Sequence, residues 1–255
     1  MNFAAYADLR DQVAIVTGAS SGLGVRFAEV LAAAGAKVAL VARRVDRLEE
    51  VAARIADAGG TARTFAADMT DADGLKALVP AVEEALGPVT ILVNNAGIPD
   101  AQRAVKMPLE LIDRVLDVNV RAPFILSCEV ARRLIELKRP GRIVNIASVA
   151  AFHYDGNGAA LYSVSKAAVA RMTEALSVEW ARNHINVNAI APAAFRSEMM
   201  DGMSARIGTP FWENFPRKRL GEPTQLDTAL LFLVSPLSDA VTGTVVRVDD
   251  GQGGK

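Results

Sequence analysis

Tyr162 and Lys166 stand four residues apart in a segment of helical period, so a phenol and an ammonium share one helix face. A free phenol titrates near 10 and exchanges protons poorly at neutral pH. A unit positive charge about 4 Å away, at an effective dielectric of about 20, is worth about 4 kcal/mol, or roughly three pKa units. The spacing therefore predicts proton transfer at Tyr162, with Lys166, helped by an oxidised nicotinamide, lowering its pKa. Of the three tyrosines only Tyr162 has a lysine at this distance; Tyr6 is followed there by Arg10 and Tyr154 by Gly158.

A second chemical signal lies near the start of the chain. Thr17-Gly18-Ala19-Ser20-Ser21-Gly22-Leu23-Gly24 follows the run Val13 to Thr17 and leads into helical period over Val25 to Ala34. Glycines at a strand-to-helix junction let the backbone turn tightly and approach a pyrophosphate, whose charge is met by the helix N-terminus. The spacing is Gly-x3-Gly-x-Gly and no Gly-Lys-Ser/Thr follows, which argues against a nucleoside-triphosphate loop. The tip of the second predicted strand reads Val41-Ala42-Arg43-Arg44. A carboxylate there would take ribose hydroxyls and repel a 2'-phosphate, whereas two guanidiniums favour NADP(H).

Both signals need a scaffold that brings strand ends together. Short β-branched runs at Val13 to Thr17, Lys37 to Ala42, Thr64 to Asp68, Val89 to Asn94, Arg142 to Ser148, Ile185 to Ile190 and Thr244 to Asp249 alternate with amphipathic helical segments. Val45, Leu48, Val51 and Ile55 recur at helical spacing, as do Leu75, Leu78, Val79, Val82 and Leu86. The pattern predicts an α/β fold: a single Rossmann-type, doubly wound domain spanning residues 1–255, with a seven-stranded parallel sheet flanked by helices. Residues 193–222 break the rhythm, with Gly202, Gly208, Pro210 and Pro216 among Met199, Met200, Met203, Phe211, Trp212 and Phe215. An irregular stretch of this length in a compact domain reads as a lid over the substrate, here an apolar one.

Composition narrows the rest. Hydrophobic residues make up 51% of the 255 and charged ones 22%, enough apolar side chain for a core. A net charge of -1 supplies no general field for nucleic acid or anionic membrane. Cys128 is the only cysteine and His153 and His184 the only histidines, so neither an internal disulfide nor a metal site is expected. The sequence from Met1 to Gln12 lacks a basic start and apolar stretch, and no run approaches the ~18 residues of a membrane span. The cytoplasm is the expected compartment.

In chain order, Thr17 to Gly24, Asp68, Asn94-Asn95-Ala96-Gly97, Asn119, Ser148, Tyr162-x3-Lys166, Val187-Asn188-Ala189-Ile190-Ala191-Pro192 and Val248-Asp249 resemble a short-chain dehydrogenase/reductase over roughly Leu9 to Gly251. Within that family the chain is similar to NADP-preferring ketoreductases of the 3-oxoacyl-reductase type. The resemblance implies that Tyr162 donates a proton to the carbonyl oxygen, Ser148 hydrogen-bonds that oxygen, Lys166 binds the nicotinamide ribose hydroxyls, and Asn119 positions a water leading to Lys166. It also implies that Gly18, Ser20, Ser21, Gly22, Leu23 and Gly24 hold the pyrophosphate, with Arg43 and Arg44 at the 2'-phosphate. Asp68 would meet the adenine, Asn94, Ala96 and Gly97 would lie under the adenosine half, a hydroxyl at Ser197 would meet the carboxamide, and Met69, Pro192 and Tyr162 would also border the cofactor. The family implies a homotetramer or homodimer.

The sequence departs from the family pattern at four places. Thirteen residues separate Ser148 from Tyr162, one more than in many members; Ala193 and Asp250 replace usual glycines; and Ser21 stands where many NADP-using relatives carry a basic residue. His153, Tyr154, Met199, Met203 and Trp212 are candidate substrate-lining residues. Arg217-Lys218-Arg219 reads as a solvated basic run rather than a carrier-protein contact. The expected activity is NADP(H)-dependent interconversion of a ketone and a secondary alcohol, on an apolar or amphipathic small molecule. A 3-oxoacyl thioester reductase is the second reading and a non-catalytic NADP-binding module the third.

Overall fold

The computed structural model describes residues 8–100, 102–154, 156, 158–207 and 211–253. Seven strands, β1 (Val13–Thr17), β2 (Lys37–Ala42), β3 (Thr61–Ala66), β4 (Ile91–Asn94), β5 (Gly141–Ile146), β6 (Ile185–Pro192) and β7 (Val245–Val248), form one sheet in the order β3-β2-β1-β4-β5-β6-β7. Every neighbouring pair is parallel. The helices are α1 (Gly22–Ala33), α2 (Val45–Asp57), α3 (Ala72–Leu86), α4 (Leu109–Leu116), α5 (Ala122–Leu137), α6 (Ala160–Trp180), α7 (Glu198–Ile207) and α8 (Asp227–Val234).

The sheet is buried on both faces, which is why its central strands are runs of Val, Ile, Leu and Ala rather than alternating patterns. Ala14 and Val16 face a core completed by Phe27 of α1, Leu48 of α2 and Leu230 of α8. Val13 and Ile15 face the opposite core, closed by Leu75 of α3, Leu126 of α5 and Val169 and Trp180 of α6. The strand order reverses between β1 and β4, and a crevice opens there beyond the carboxyl ends of the strands. The glycine turn and the Asn94-to-Gly97 loop both emerge at this crevice.

β1 and β2 occupy the expected residues. β3 begins at Thr61 and ends at Ala66, earlier than the expected Thr64 to Asp68, so Asp68 stands in the loop beyond it. As an edge strand it is half exposed, and Thr61 and Arg63 give no apolar signal although both pair with β2. β5 stops at Ile146, short of the expected Ser148, because Ser148 turns the chain into a short 3-10 turn, Val149–Ala151, and its Oγ accepts the Ala150 N–H at 3.1 Å.

The irregular segment contains order that its composition hides. Residues Glu198–Ile207 are helical despite Gly202, a 3-10 turn covers Phe211–Asn214, and Phe195 pairs in parallel with Gly221. Gly208 and Pro210 lie outside the described residues.

Candidate active site

At the glycine turn, Gly18 and Gly22 have φ of +68° and +55°, a region that disfavours any side chain. A Cβ on Gly18 would meet Asn95 Nδ2 at 2.8 Å. One on Gly24 would meet the Gly18 carbonyl oxygen at 2.2 Å, so Gly24 seats α1 against the turn instead of lining the crevice. No acidic residue occupies the first turn of α1, and Ser21 makes no side-chain cap. The first N–H groups of the helix and the positive end of its dipole thus fit a pyrophosphate.

Thr17 ties this turn to β4. Its Oγ1 accepts the N–H groups of Asn95 and Ala96, both at 3.0 Å, while Asn95 Nδ2 donates to the Thr17 carbonyl at 2.9 Å. Asn94 points away from the crevice and donates to Asn145 Oδ1 at 2.9 Å and Ser127 Oγ at 3.0 Å. It was expected under the adenosine half; the structure makes it a core strut instead, because as the last residue of β4 it faces β5 and α5.

At the rim beyond β2, Arg44 donates to Ser20 Oγ at 3.2 and 3.1 Å and to Glu198 Oε2 at 3.2 Å, and Arg47 pairs with Glu198 Oε1. Arg43 approaches Asp68 at 3.9 Å. Glu198, held below the usual carboxylate range by Arg47 and Arg44, has no counterpart among the expected site residues. Nothing in its local sequence connects it to arginines on the far side of the crevice.

At the other end, Tyr162 and Lys166 descend from the first turns of α6 towards Ser148. The Lys166 ammonium, only 4% exposed, lies 5.7 Å from the Tyr162 ring centroid and donates to the Ile146 carbonyl at 2.7 Å. Burial lowers its pKa to about 8. Burial also pushes the Tyr162 phenol upward, opposed by the Ser148 hydroxyl and reinforced by the charge of Asp100. Lys166 was expected to bring the phenol down together with an oxidised nicotinamide; the raising here comes from burial of the phenol.

Asn119 and Asp100 fix this wall from behind. A π-helical turn, Asp117–Arg121, interrupts the continuous α4–α5 helix and carries Asn119. Its Oδ1 accepts the Ile98 N–H at 2.8 Å, and its Nδ2 donates to the Ile98 carbonyl at 3.0 Å and to Ser165 Oγ at 3.1 Å. Asn119 is therefore buried behind the crevice and does not line it. Asp100, also unforeseen, accepts the N–H groups of Leu161 and Tyr162 at 2.9 and 3.1 Å.

The glycine turn, the arginine rim and the wall at Ser148, Tyr162 and Lys166 border one cavity of about 1150 Å³ running from the glycine turn to α7. Gly18, Ser20, Ser21, Gly22, Leu23, Arg43, Arg44, Asp68, Met69, Ala96, Gly97, Pro192 and Ser197 line it, as do Ser148, Tyr162 and Lys166. His153, Tyr154, Met199 and Met203 are in its wall, joined by Met200, Phe215 and Gln252. Trp212 is not. It stacks edge-on against Phe211 at 5.4 Å, and Phe215 takes the lining position.

Among the described residues no group of three or more His, Cys, Asp or Glu is disposed to hold a metal ion, and no helix is long and apolar enough to cross a membrane. The basic run is not wholly solvated: Arg217 and Arg219 both pair with Asp250, the residue that replaces a usual glycine and keeps a left-handed φ of 53°.

Comparison with known proteins bears on this arrangement. Residues 12–207 match the short chain dehydrogenase family model. The chain belongs to the short-chain dehydrogenases. It is 37% identical to gluconate 5-dehydrogenase of Gluconobacter oxydans, with 93% of each chain covered. It is 34% identical to the 3-oxoacyl-acyl-carrier-protein reductase FabG of Vibrio cholerae, covering 96% of this chain and 98% of that one. Among solved structures, a proposed NAD(P) dependent gluconate 5-dehydrogenase of Beutenbergia cavernae, with NADP bound at low occupancy, superposes with a TM-score of 0.89 at 35% identity over 96% of this chain and 98% of that one. The protein is thus an oxidoreductase of this family with a nicotinamide cofactor and alcohol- or ketone-type substrates.

Proposed function

We propose that this dehydrogenase interconverts a ketone and a secondary alcohol with NADP(H), Tyr162 serving as general acid and base. The observation that carries the reading is that Ser148, Tyr162 and Lys166 line the same cavity as the glycine turn and the arginine rim. The nicotinamide, when bound, supplies or accepts the hydride. Ser148 hydrogen-bonds the carbonyl oxygen as charge develops on it, and Tyr162 delivers the proton. At neutral pH a phenol is protonated, the form that reduction needs. Gly18 to Gly24 hold the pyrophosphate, with Gly24 acting through its packing, and Arg43 and Arg44 select the 2'-phosphate. Lys166 anchors the ribose, and Asn119 acts by holding the loop at Ile98.

The substrate is amphipathic. Met199, Met200, Met203 and Phe215 supply apolar lining from the 193–222 segment, which serves as a lid, and His153 and Tyr154 line the same cavity. A 3-oxoacyl thioester remains the second substrate class, favoured by the similarity to FabG; the pairing of Arg217 and Arg219 with Asp250 weakens it by removing a free basic patch. The intact Ser148, Tyr162 and Lys166 set argues against a non-catalytic module. The enzyme assembles as a homotetramer or homodimer in the cytoplasm. Exposed apolar side chains on the α5 and α6 surfaces, Phe124, Ile135, Leu137, Val164 and Val178, support assembly.

A panel of ketones, sugar-acid ketones and 3-oxoacyl thioesters with NADPH or NADH, followed at the cofactor's absorbance, tests the reading. Turnover of a ketone with NADPH is expected. Equal or tighter use of NADH would overturn the cofactor assignment, and a scattering mass of 27.0 kDa at micromolar concentration would overturn the assembly.

A further inference from the structure

Asp250 has a φ of +53°, a left-handed conformation that a glycine holds without strain and that a side chain occupies at a cost. The carboxylate is what the strained position supports. Its Oδ2 accepts Arg219 Nε at 2.6 Å, and its Oδ1 accepts Arg219 Nη2 at 3.1 Å and pairs with Arg217 Nη1 at 2.8 Å. The Asp250 side chain is only 12% exposed, a carboxylate largely withdrawn from water beside two guanidiniums. Lys218, between the two arginines, also has a left-handed φ of +50°, and its N–H closes a turn onto the Phe215 carbonyl at 2.9 Å. Backbone strain on both sides of one ion-pair cluster persists only where the surrounding contacts hold it.

What the cluster joins is the apolar end of the cavity. Asp250, Arg217 and Arg219 do not line it, but their chain neighbours do: Phe215 stands two residues before Arg217 in the same turn, and Gln252 two residues after Asp250. Gly251, between Asp250 and Gln252, lies against Pro216, whose ring carbons are 3.8 and 3.9 Å from where its Cβ would stand. Gln252 Oε1 accepts the Ala194 N–H at 3.0 Å and the Val248 carbonyl accepts the Ala193 N–H at 3.2 Å, so the same C-terminal turn holds the stem by which the 193–222 segment leaves β6. The two stems meet where Phe195 pairs with Gly221. Residues 248–252 therefore hold the entering stem through backbone and amide bonds and the leaving stem through Asp250. Phe215 in turn packs edge-on against Phe211 at 5.6 Å, and Phe211 against Trp212 at 5.4 Å.

We propose that Asp250 is a positioning residue for the substrate-end wall of the cavity. By pinning Arg217 and Arg219 it fixes Phe215 relative to the turn that carries Gln252, and so sets how tightly a small ketone is held. It acts on substrate binding and leaves proton and hydride transfer to the Ser148, Tyr162 and Lys166 end. The inference rests on the reading of this part of the cavity as the substrate site.

The test compares wild type with Asp250→Gly, Asp250→Asn and the double variant Arg217→Gln/Arg219→Gln. Glycine keeps the left-handed backbone and removes the carboxylate, whereas asparagine tolerates that backbone and keeps an oxygen acceptor. The arginine variant breaks the cluster from the other side and serves if a change at Asp250 prevents folding. For a neutral ketone reduced with NADPH, KM should rise about three- to fivefold in Asp250→Gly and in the arginine variant, with kcat and NADPH affinity held within about twofold. Asp250→Asn should recover part of the loss. Raising salt should lift the wild-type KM towards those of the variants and leave theirs unchanged, because the exposed guanidiniums are screened. Acrylamide quenching of Trp212, isolated with the same proteins carrying Trp212→Phe, should rise in parallel. An unchanged KM in Asp250→Gly and in the arginine variant, whatever the melting temperature does, would make the cluster a structural tie and overturn the proposal. If wild type reduced no ketone, the catalytic reading would fall, and the quenching would still decide whether Asp250 holds this wall.

Discussion

At the rim of the cavity the polar side chains are exposed and bonded to one another across elements, Arg44 and Arg47 to Glu198 and Arg43 towards Asp68. At the Tyr162 end they are buried and bonded largely to backbone, Lys166 to Ile146, Asn119 to Ile98 and Asp100 to Tyr162. Exposed ion pairs contribute little net energy and are weakened by salt, so the rim can exchange one anion for another at small cost. Buried hydrogen-bonded groups lose the full desolvation cost of any partner removed. The rim is suited to choosing a cofactor and the buried wall to holding reacting groups still.

Substitutions at the buried end should therefore have the largest effects. Tyr162→Phe keeps the ring and removes the proton donor, so turnover should fall about 100-fold or more with NADPH binding retained, as equilibrium titration beside steady-state rates will show. Near-normal ketone reduction in this variant would end the assignment.

Lys166→Met should also suppress turnover and, unlike Tyr162→Phe, weaken NADPH binding, because the ribose contact is lost with the charge. Its stability provides a separate check. Lys166 titrates near 8 in the folded protein against 10.5 ordinarily, so between these values the unfolded chain binds more protons and the group's contribution to stability rises with pH. Denaturation midpoints should thus move in favour of wild type over Lys166→Met as pH increases from 8 to 10.5. A constant difference would show that the ammonium is better solvated than its surroundings indicate.

At the rim the effects should be smaller. A well-placed arginine on a phosphate is worth about 1.5 to 3 kcal/mol, or roughly 10- to 150-fold in affinity. Arg44 is half exposed and shared with Ser20 and Glu198, so Arg44→Ala should cost about tenfold in NADPH affinity and leave NADH affinity nearly unchanged. Parallel losses for both cofactors would place the arginine elsewhere than at the 2'-phosphate.

The smallest expected change is a gain. Glu198 competes with a phosphate for Arg44, so Glu198→Gln should tighten NADPH binding by about two- to fivefold at low salt, with the advantage fading as salt rises. Weaker NADPH binding in this variant would mean that Glu198 orders the arginines instead of competing for them.

The sequence by itself determined the features whose cause is local. The Gly18-to-Gly24 turn, the strands β1 and β2, and the shared face of Tyr162 and Lys166 follow from backbone freedom, continuous apolar runs and helical period, which neighbouring residues alone impose. The seven-stranded parallel sheet followed from the alternation of such runs with amphipathic segments. Only the tertiary structure decided which polar residues meet. Asp100 reaches a helix that begins about sixty residues later, Glu198 crosses the cavity to Arg44, and Asn94 turns into the core while Asn95 next to it faces the crevice. The upward shift of Tyr162 belongs to the same class: a pKa depends on how much water the surrounding elements exclude, and no spacing along the chain encodes that. Even β3 needed β2 beside it, because half-exposed edge residues carry no apolar signal and are defined by the strand they pair with.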